Sequence, residues 1–357
     1  MIDHPFKPKA DLSRFYVVTM ISNPRRFKRR YELYFEFAAM CKAAGVNLIT
    51  IEQAFGLRPF MVTEPNNPHH MQVRSIDELW HKENMINAAA FYAAKNFGAR
   101  EIAWVDADCR PSQSPLRWFE ETWHALQHYK FVQMWQWLID LDLNHNPIGE
   151  PQPSFMYNYI KYGAPNPEEF HRLSAAHAAK FGDEAEYYDG PLVKPGVSKR
   201  TLFGRPGLAW AANVEDFKMV GGLIDWSILG AGDWYMAHGL VGTMNVTSGE
   251  HYSPSYAKHL LSWQAKAEDA IRRDVGYVEG TVMHDFHGRK ILRGYNTRGA
   301  ILKDCGFDPD IDIQKDEYGL YQLVTITKRQ WKLRDRVRSY FKARSEDSTV
   351  GGEGDAP

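Results

Sequence analysis

Cysteine is scarce and unpatterned in this chain of 357 residues: Cys41, Cys109 and Cys305 are odd in number and far apart. They lack the spacing of a zinc site or a redox pair, which excludes a disulfide framework and points to a reducing compartment. Long apolar runs are also missing. No stretch approaches the roughly 18 apolar residues that span a bilayer, and Met1-Ile2-Asp3-His4-Pro5 opens without a basic region followed by an apolar run. The expectation is a soluble, cytoplasmic protein with no membrane partner. Net charge is nearly absent: 43 Lys and Arg stand against 44 Asp and Glu, with a pI near 6.9. No global field therefore draws the chain to nucleic acid or anionic lipid. Glycine is missing where a phosphate loop would need it, since Ser22-Asn23-Pro24-Arg25-Arg26 contains none.

What is present is an alternation of strand-like and helix-like segments. Phe15 to Ile21 is a β-branched and aromatic run closed by Ser22-Asn23-Pro24, which predicts a buried strand and a turn. Apolar residues recur at helical spacing from Arg26 to Ala44, and Gly45 supplies the stop. With a second strand at Val46 to Ile51, the chain opens as a βαβ unit whose default is a parallel pair. Asp77 to Asn96, rich in alanine, predicts a helix ended by Gly98, and Glu101 to Val105 a strand running straight into Asp106-Ala107-Asp108. Phe131 to Ile139 reads as one further strand. From Asn144 to Gly207 the composition shifts toward Pro, Gly, Asn and Tyr, with a helical pattern only at Pro167 to Phe181, which predicts an insertion over the site. Leu208 to Ala212 then reads as a strand, Val214 to Val220 and about Ala257 to Asp274 as helices, and Thr281 to His284 as a strand. The whole predicts an α/β domain with a mostly parallel sheet flanked by helices.

Three groups of residues carry chemistry. Asp106 and Asp108 stand two apart at the end of a buried strand, where ligands of open α/β sheets sit. Their oxygens suit Mg²⁺ or Mn²⁺, and such a cation neutralises a departing diphosphate without proton transfer. A solvated turn before Cys109-Arg110-Pro111 is the competing reading. Next, Gly221-Gly222 and Gly230-Ala231-Gly232 permit close backbone approach, and Asp233 beside Trp234 reads either as a base for a hydroxyl or as a helix N-cap. Last, His284 and His287 can complete a cation site, and Arg289, Arg293 and Arg298 can meet phosphates.

In this order, these elements resemble the GT-A glycosyltransferases. The resemblance runs over about residues 15 to 290 through the strand-helix-strand start, Trp80-His81-Lys82-Glu83 with Asn84 and Asn87, Asp106-Ala107-Asp108, Pro206-Gly207-Leu208-Ala209-Trp210-Ala211, Gly221-Gly222, Gly232-Asp233-Trp234 and a late histidine. It implies a GT-A domain over residues 1–325, with residues 144–207 near the acceptor, then a basic amphipathic helix at 326–345 and a disordered tail at 346–357. It further implies that Asp106 and Asp108 hold Mn²⁺ or Mg²⁺ with His284 or His287, and that His287 is favoured because Gly288 follows it. Asp106 also faces the diphosphate, and Asp233 serves as the base of an inverting transfer, although Gly232 stands where the family often has a second acid. The nucleotide of the donor sugar, a UDP-sugar by preference, falls to Thr19, Ile21, Arg25, Glu52, Lys82, Asn87 and Arg289. For Lys82 and Glu83 a solvated helix pair is the plainer alternative.

The stretch His284 to Asp316 looks similar to glycosyltransferase-like proteins of bacteriophages and large viruses, which implies 5-hydroxymethylpyrimidine DNA as acceptor and the host cytoplasm as location. The basic run from Lys328 to Arg344 and the aromatics Trp135, Trp137, Tyr157 and Tyr159 suit a nucleic-acid acceptor. A glycan, polysaccharide or protein acceptor suits the same aromatics. A non-catalytic nucleotide-sugar binding protein, or a nucleotidyltransferase, is the reading of another class.

Overall fold

The computed structural model describes residues 9–164, 203–246, 253–294 and 298–347. The helix expected at Pro167 to Phe181 lies outside the described residues, and of the tail expected at 346–357 only Glu346 and Asp347 are described; Glu346 is buried at 2% exposure, so that tail begins packed on the fold.

The central sheet is built from seven strands: β1 Phe15–Ser22, β2 Asn47–Phe55, β3 His70–Ser75, β4 Glu101–Val105, β6 Phe131–Gln133, β9 Ala209–Asn213 and β10 Val275–Tyr277. Their order across the sheet is β10-β6-β9-β4-β1-β2-β3. All neighbours pair in parallel except around β9, which runs antiparallel to both β4 and β6. The protein is thus mixed α/β with a mostly parallel sheet, as the sequence predicts. Alternate residues of the central strands feed two cores. Tyr16, Val18, Ile102 and Trp104 face one, and Phe15, Val17, Ala103 and Val105 the other. Buried on both faces, these strands appear in the sequence as nearly continuous apolar runs.

Helix α1 (Lys28–Ala44) and α3 (Pro115–Leu126) cover the second face through Phe37, Cys41, Trp118 and Phe119. On the first lie α2 (Lys82–Phe97), α5 (Val214–Met219), α6 (Gly232–Leu240) and α7 (Pro254–Ala270), while α4 (Phe155–Tyr162) contributes Phe155 and Met156 to the same core. Both α1 and α2 end where predicted: Gly45 and Gly98 adopt φ of 69° and 64°, and their N–H groups satisfy carbonyls of the last turn.

The segment read as one strand from Phe131 to Ile139 is two. It breaks at Met134, whose N–H bonds the Ala209 carbonyl, and resumes as β7 (Trp137–Leu141) in a second sheet. The other strands of that sheet are β5 Cys109–Pro111, β8 Pro147–Pro153 and β11 Thr281–His284, and the order is β5-β11-β7-β8. Strand β8 and α4 occupy the start of the region read as an irregular insertion. Edge position is what lets β8 carry proline at both ends.

After β11 come α8 (Arg298–Asp304), α9 (Pro309–Asp312), the hairpin β12 (Ile313–Lys315) and β13 (Tyr321–Leu323), and α10 (Lys328–Ala343). A capping box of Thr327 and Gln330 starts α10. Its Leu333, Val337, Tyr340 and Phe341 are buried in the first core, each contributing roughly 1.5–3 kcal/mol by burial. The expected basic helix is therefore seated on the domain by its apolar face. All three cysteines are buried and free, and burial pushes the Cys41 thiol up to about 12. Among the described residues no helix is long and apolar enough to cross a membrane.

Candidate metal centre and acidic cleft

Strand β4 ends at Val105, and the turn Asp106-Ala107-Asp108, closed by the Cys109 N–H on the Asp106 carbonyl, hands the chain to the second sheet. There β5 pairs antiparallel with β11, setting Cys109 opposite His284, and β11 runs parallel to β7, setting His284 beside Asp140. Past β11 the Asp285 N–H bonds the Asp108 carbonyl at 2.8 Å, and the chain turns to present His287. Two sheets thus bring Asp108, His284 and His287 together, their donor atoms all within 4.8 Å of one another.

Oδ2 of Asp108 lies 2.7 Å from Nε2 of His287 and 3.7 Å from Nε2 of His284. The other ring nitrogen of each histidine faces a carboxylate: His284 Nδ1 is 2.7 Å from Asp140, and His287 Nδ1 is 3.4 Å from Glu346. A carboxylate behind Nδ1 fixes the tautomer that leaves Nε2 with a lone pair. Oδ1 of Asp108 is buried with no hydrogen-bond partner. An unsatisfied buried oxygen beside two imidazole nitrogens is a donor set that fits a divalent transition ion. In the metal-free state protons do part of that work. Burial pulls the His284 pKa down, but Asp108 and Asp140 outweigh it and push it up to about 9. Burial would raise the Asp108 pKa, yet His287 and His284 hold it well below the carboxylate range.

Asp106, expected to share the metal, is paired with Lys82. Lys82 Nζ lies 2.5 Å from its Oδ1 and 2.7 Å from its Oδ2. Lys82 opens α2 and is no solvated partner of Glu83, for Glu83 is buried as well. Burial works against the Lys82 charge, which Asp106, Asp233 and Glu83 stabilise, so its pKa is raised. Burial pushes the Glu83 carboxyl up to about 8.

Lys82, Glu83, Trp104, Gly207, Gly232 and Asp233 line an open cleft. Asp233 sits in the first turn of α6 and accepts the Trp234 N–H at 2.8 Å. The N-cap position belongs to Ala231, so Asp233 is not the cap. Two glycines make room for the acids. A Cβ on Gly207 would stand 2.5 Å from Asp233 Oδ2, and one on Gly232 2.6 Å from the Glu83 carboxyl carbon.

The remaining candidates are tied into the fold. The Thr19 hydroxyl donates to the Val105 carbonyl at 2.9 Å, and Ile21 packs with Tyr34 and Val62. Arg25 pairs with Glu78 at 2.6 Å and donates to the Arg338 carbonyl. Both oxygens of Glu52 accept from the segment 61–63: the N–H groups of Met61, Val62 and Thr63 and the Thr63 hydroxyl, at 2.6 to 3.0 Å. Asn87 bonds both the N–H and the carbonyl of Leu223. Arg289 lies on the loop just past Gly288, partly buried. Sequence reasoning missed Asp140 and Glu346; a charged residue inside the apolar run Trp137–Leu141 is the one signal that could have marked Asp140.

No protein-family model and no curated protein matches the chain. Among solved structures it is similar to the catalytic domain of Drosophila β1,4-galactosyltransferase 7 in complex with xylobiose, at 12% identity and a TM-score of 0.34, over 89% of this chain and 98% of that one. A mutant of that enzyme in complex with manganese, UDP-Gal and xylobiose matches at 11% identity and a TM-score of 0.35, over 90% and 98%. A structure described as a nucleotide-diphospho-sugar transferase from Desulfovibrio desulfuricans matches at 10% identity and a TM-score of 0.33, over 92% and 98%. Likeness this distant carries no residue role across, and the chemistry rests on the site's own atoms.

Proposed function

We propose that this protein is a metal-dependent glycosyltransferase that moves a sugar from a nucleotide sugar, a UDP-sugar by preference, to a hydroxyl acceptor. The observation that carries the reading is the convergence of Asp108, His284 and His287, with Asp106 of the same turn paired to Lys82 in the cleft that also holds Asp233. Two imidazoles with one carboxylate favour Mn²⁺ over Mg²⁺, which prefers an all-oxygen shell. Bound there, the cation supplies charge neutralisation to the departing diphosphate. Lys82 adds a fixed positive charge next to it, oriented by Asp106. Asp233, kept clear by Gly207, takes the proton of the acceptor hydroxyl as its oxygen bonds the anomeric carbon and the bond to the diphosphate breaks. Attack from the face opposite the diphosphate inverts the anomeric centre.

For the acceptor, the basic helix that suggested 5-hydroxymethylpyrimidine DNA spends much of its charge internally: Arg329 pairs with Asp312, Arg334 with Asp335 and Arg336 with Asp304. We therefore propose the acceptor no more closely than a hydroxyl compound. The test is turnover of a panel of nucleotide sugars with Mn²⁺, read as donor hydrolysis or transfer. Metal-dependent nucleoside diphosphate release, lost in Asp108→Asn, is expected. Pyrophosphate release from a nucleoside triphosphate would instead establish a nucleotidyltransferase, and turnover that survives Asp108→Asn would remove the metal from the reaction.

A further inference from the structure

The chain beyond α10 turns back across the metal centre. Gly288, at φ +91°, lies so close to it that a Cβ there would stand 2.8 Å from the Glu346 Cα. That contact brings Glu346, 2% exposed, to 3.4 Å from His287 Nδ1. Glu346 is held from the far side. Oε1 accepts from Arg344 at 2.6 Å and from Arg30 Nη2 at 2.7 Å, and Oε2 accepts from Arg30 Nε. Arg30 in turn donates to the Ser22 carbonyl at the end of β1. The next residue, Asp347, accepts the N–H groups of Lys28 and Arg29 at 2.8 and 2.9 Å, fastening the segment to the first turn of α1. The carboxylate is thus placed by these anchors before any contact with the histidine is counted.

We propose that Glu346 is a positioning residue of the metal centre, orienting His287 through Nδ1 so that Nε2 faces the cation, as Asp140 does for His284. The proposal rests on the metal reading given above. It makes ion affinity depend on a residue 59 positions along the chain from the ligand it orients.

Mn²⁺ titration of the full-length protein by electron paramagnetic resonance, below the melting temperature of each variant, tests it. Glu346→Gln keeps the shape but not the charge, and should weaken Mn²⁺ about 10- to 100-fold, the usual consequence of losing a carboxylate behind a metal-bound histidine. Glu346→Asp keeps the charge but withdraws it by a methylene and should fall between; it also serves should Glu346→Gln fail to fold. A residue with only a structural role would lower the metal-free melting temperature and leave Mn²⁺ affinity unchanged, and that result overturns the proposal. Asp108→Asn separates the two layers: if it too binds Mn²⁺ as tightly as the wild type, the metal reading has failed, and not Glu346 alone.

Discussion

Asp108 and Asp106 stand two residues apart, but one faces two imidazoles and the other a lysine, so the same substitution should act differently on each. Asp108→Asn removes the carboxylate of the donor set and should weaken Mn²⁺ by about 100-fold or more. Asp106→Asn should weaken it by less than about tenfold, acting instead through Lys82, which would lose its orienting partner. Isothermal titration with Mn²⁺ distinguishes them, and equal losses would mean that both aspartates hold the ion. Asp233→Asn should lower kcat by about 10²- to 10⁴-fold with Mn²⁺ affinity unchanged, as expected for removal of a general base. The sequence singles out Asp106, Asp108, Asp233, His284 and His287 because strand ends and glycine-flanked turns leave local signatures, and the structure brings Asp108, His284 and His287 within reach of one another. The sequence does not show which aspartate meets the histidines, since that depends on a Lys82 brought in by α2. Nor does it show that Glu52 and Asn87 are spoken for. Their partners, the segment 61–63 and Leu223, are supplied by the tertiary fold.

The loop between α5 and α6 shows how an element holds the cleft in place. Asn87 on α2 grips Leu223 by both backbone groups, and Gly222 passes so close that a Cβ would stand 2.6 Å from the Asn87 Oδ1. Gly222 also sits at φ +82°, where an L side chain costs about 1–2 kcal/mol before any clash. Gly222→Ala should therefore destabilise by about 2 kcal/mol or more, and Asn87→Ala by about 1–3 kcal/mol for each buried group left unpaired. Because Asn87→Ala also removes the atom that the methyl group introduced by Gly222→Ala would strike, the double variant should lose less than the sum, which a urea-denaturation cycle reads directly. Additive losses would show that the two residues do not meet. At this scale the sequence is most informative for central elements. β1, α1, α2 and β4 announce themselves by apolar runs and glycine stops, whereas β3 and β8 lie at sheet edges, where half-exposure and proline blur the pattern. The break between β6 and β7 is invisible because both halves are apolar; only the choice of sheet divides them.

For the whole molecule, a formal charge of -1 conceals buried titrating groups that oppose one another. Burial raises the Glu83 pKa from 4.5 to about 8, so its share of stability is full below about 4.5 and is lost as pH climbs toward 8. His284, raised from 6.5 to about 9 in the metal-free protein, contributes fully below about 6.5 and loses its share as pH rises to 9. His81 and His238 act in the opposite sense. Burial lowers them from 6.5 to about 4 and about 3, so the unfolded chain takes up protons that the fold refuses, and stability declines as pH drops below 6.5. Above that pH both active groups favour acidification. Below it His81 and His238 together outweigh Glu83, so these four groups by themselves favour a pH near 6.5. The metal-free protein should accordingly be most stable at about pH 6.5, measured by urea unfolding in a chelator from about pH 5 to about pH 9. Saturating Mn²⁺ should raise the stability and move the optimum upward, because the ion stabilises the state it binds and requires His284 to give up its proton. A metal-free stability that kept rising to about pH 8 would mean that neither Glu83 nor His284 is protonated in the fold. An optimum unmoved by Mn²⁺ would mean that His284 is not among the ligands.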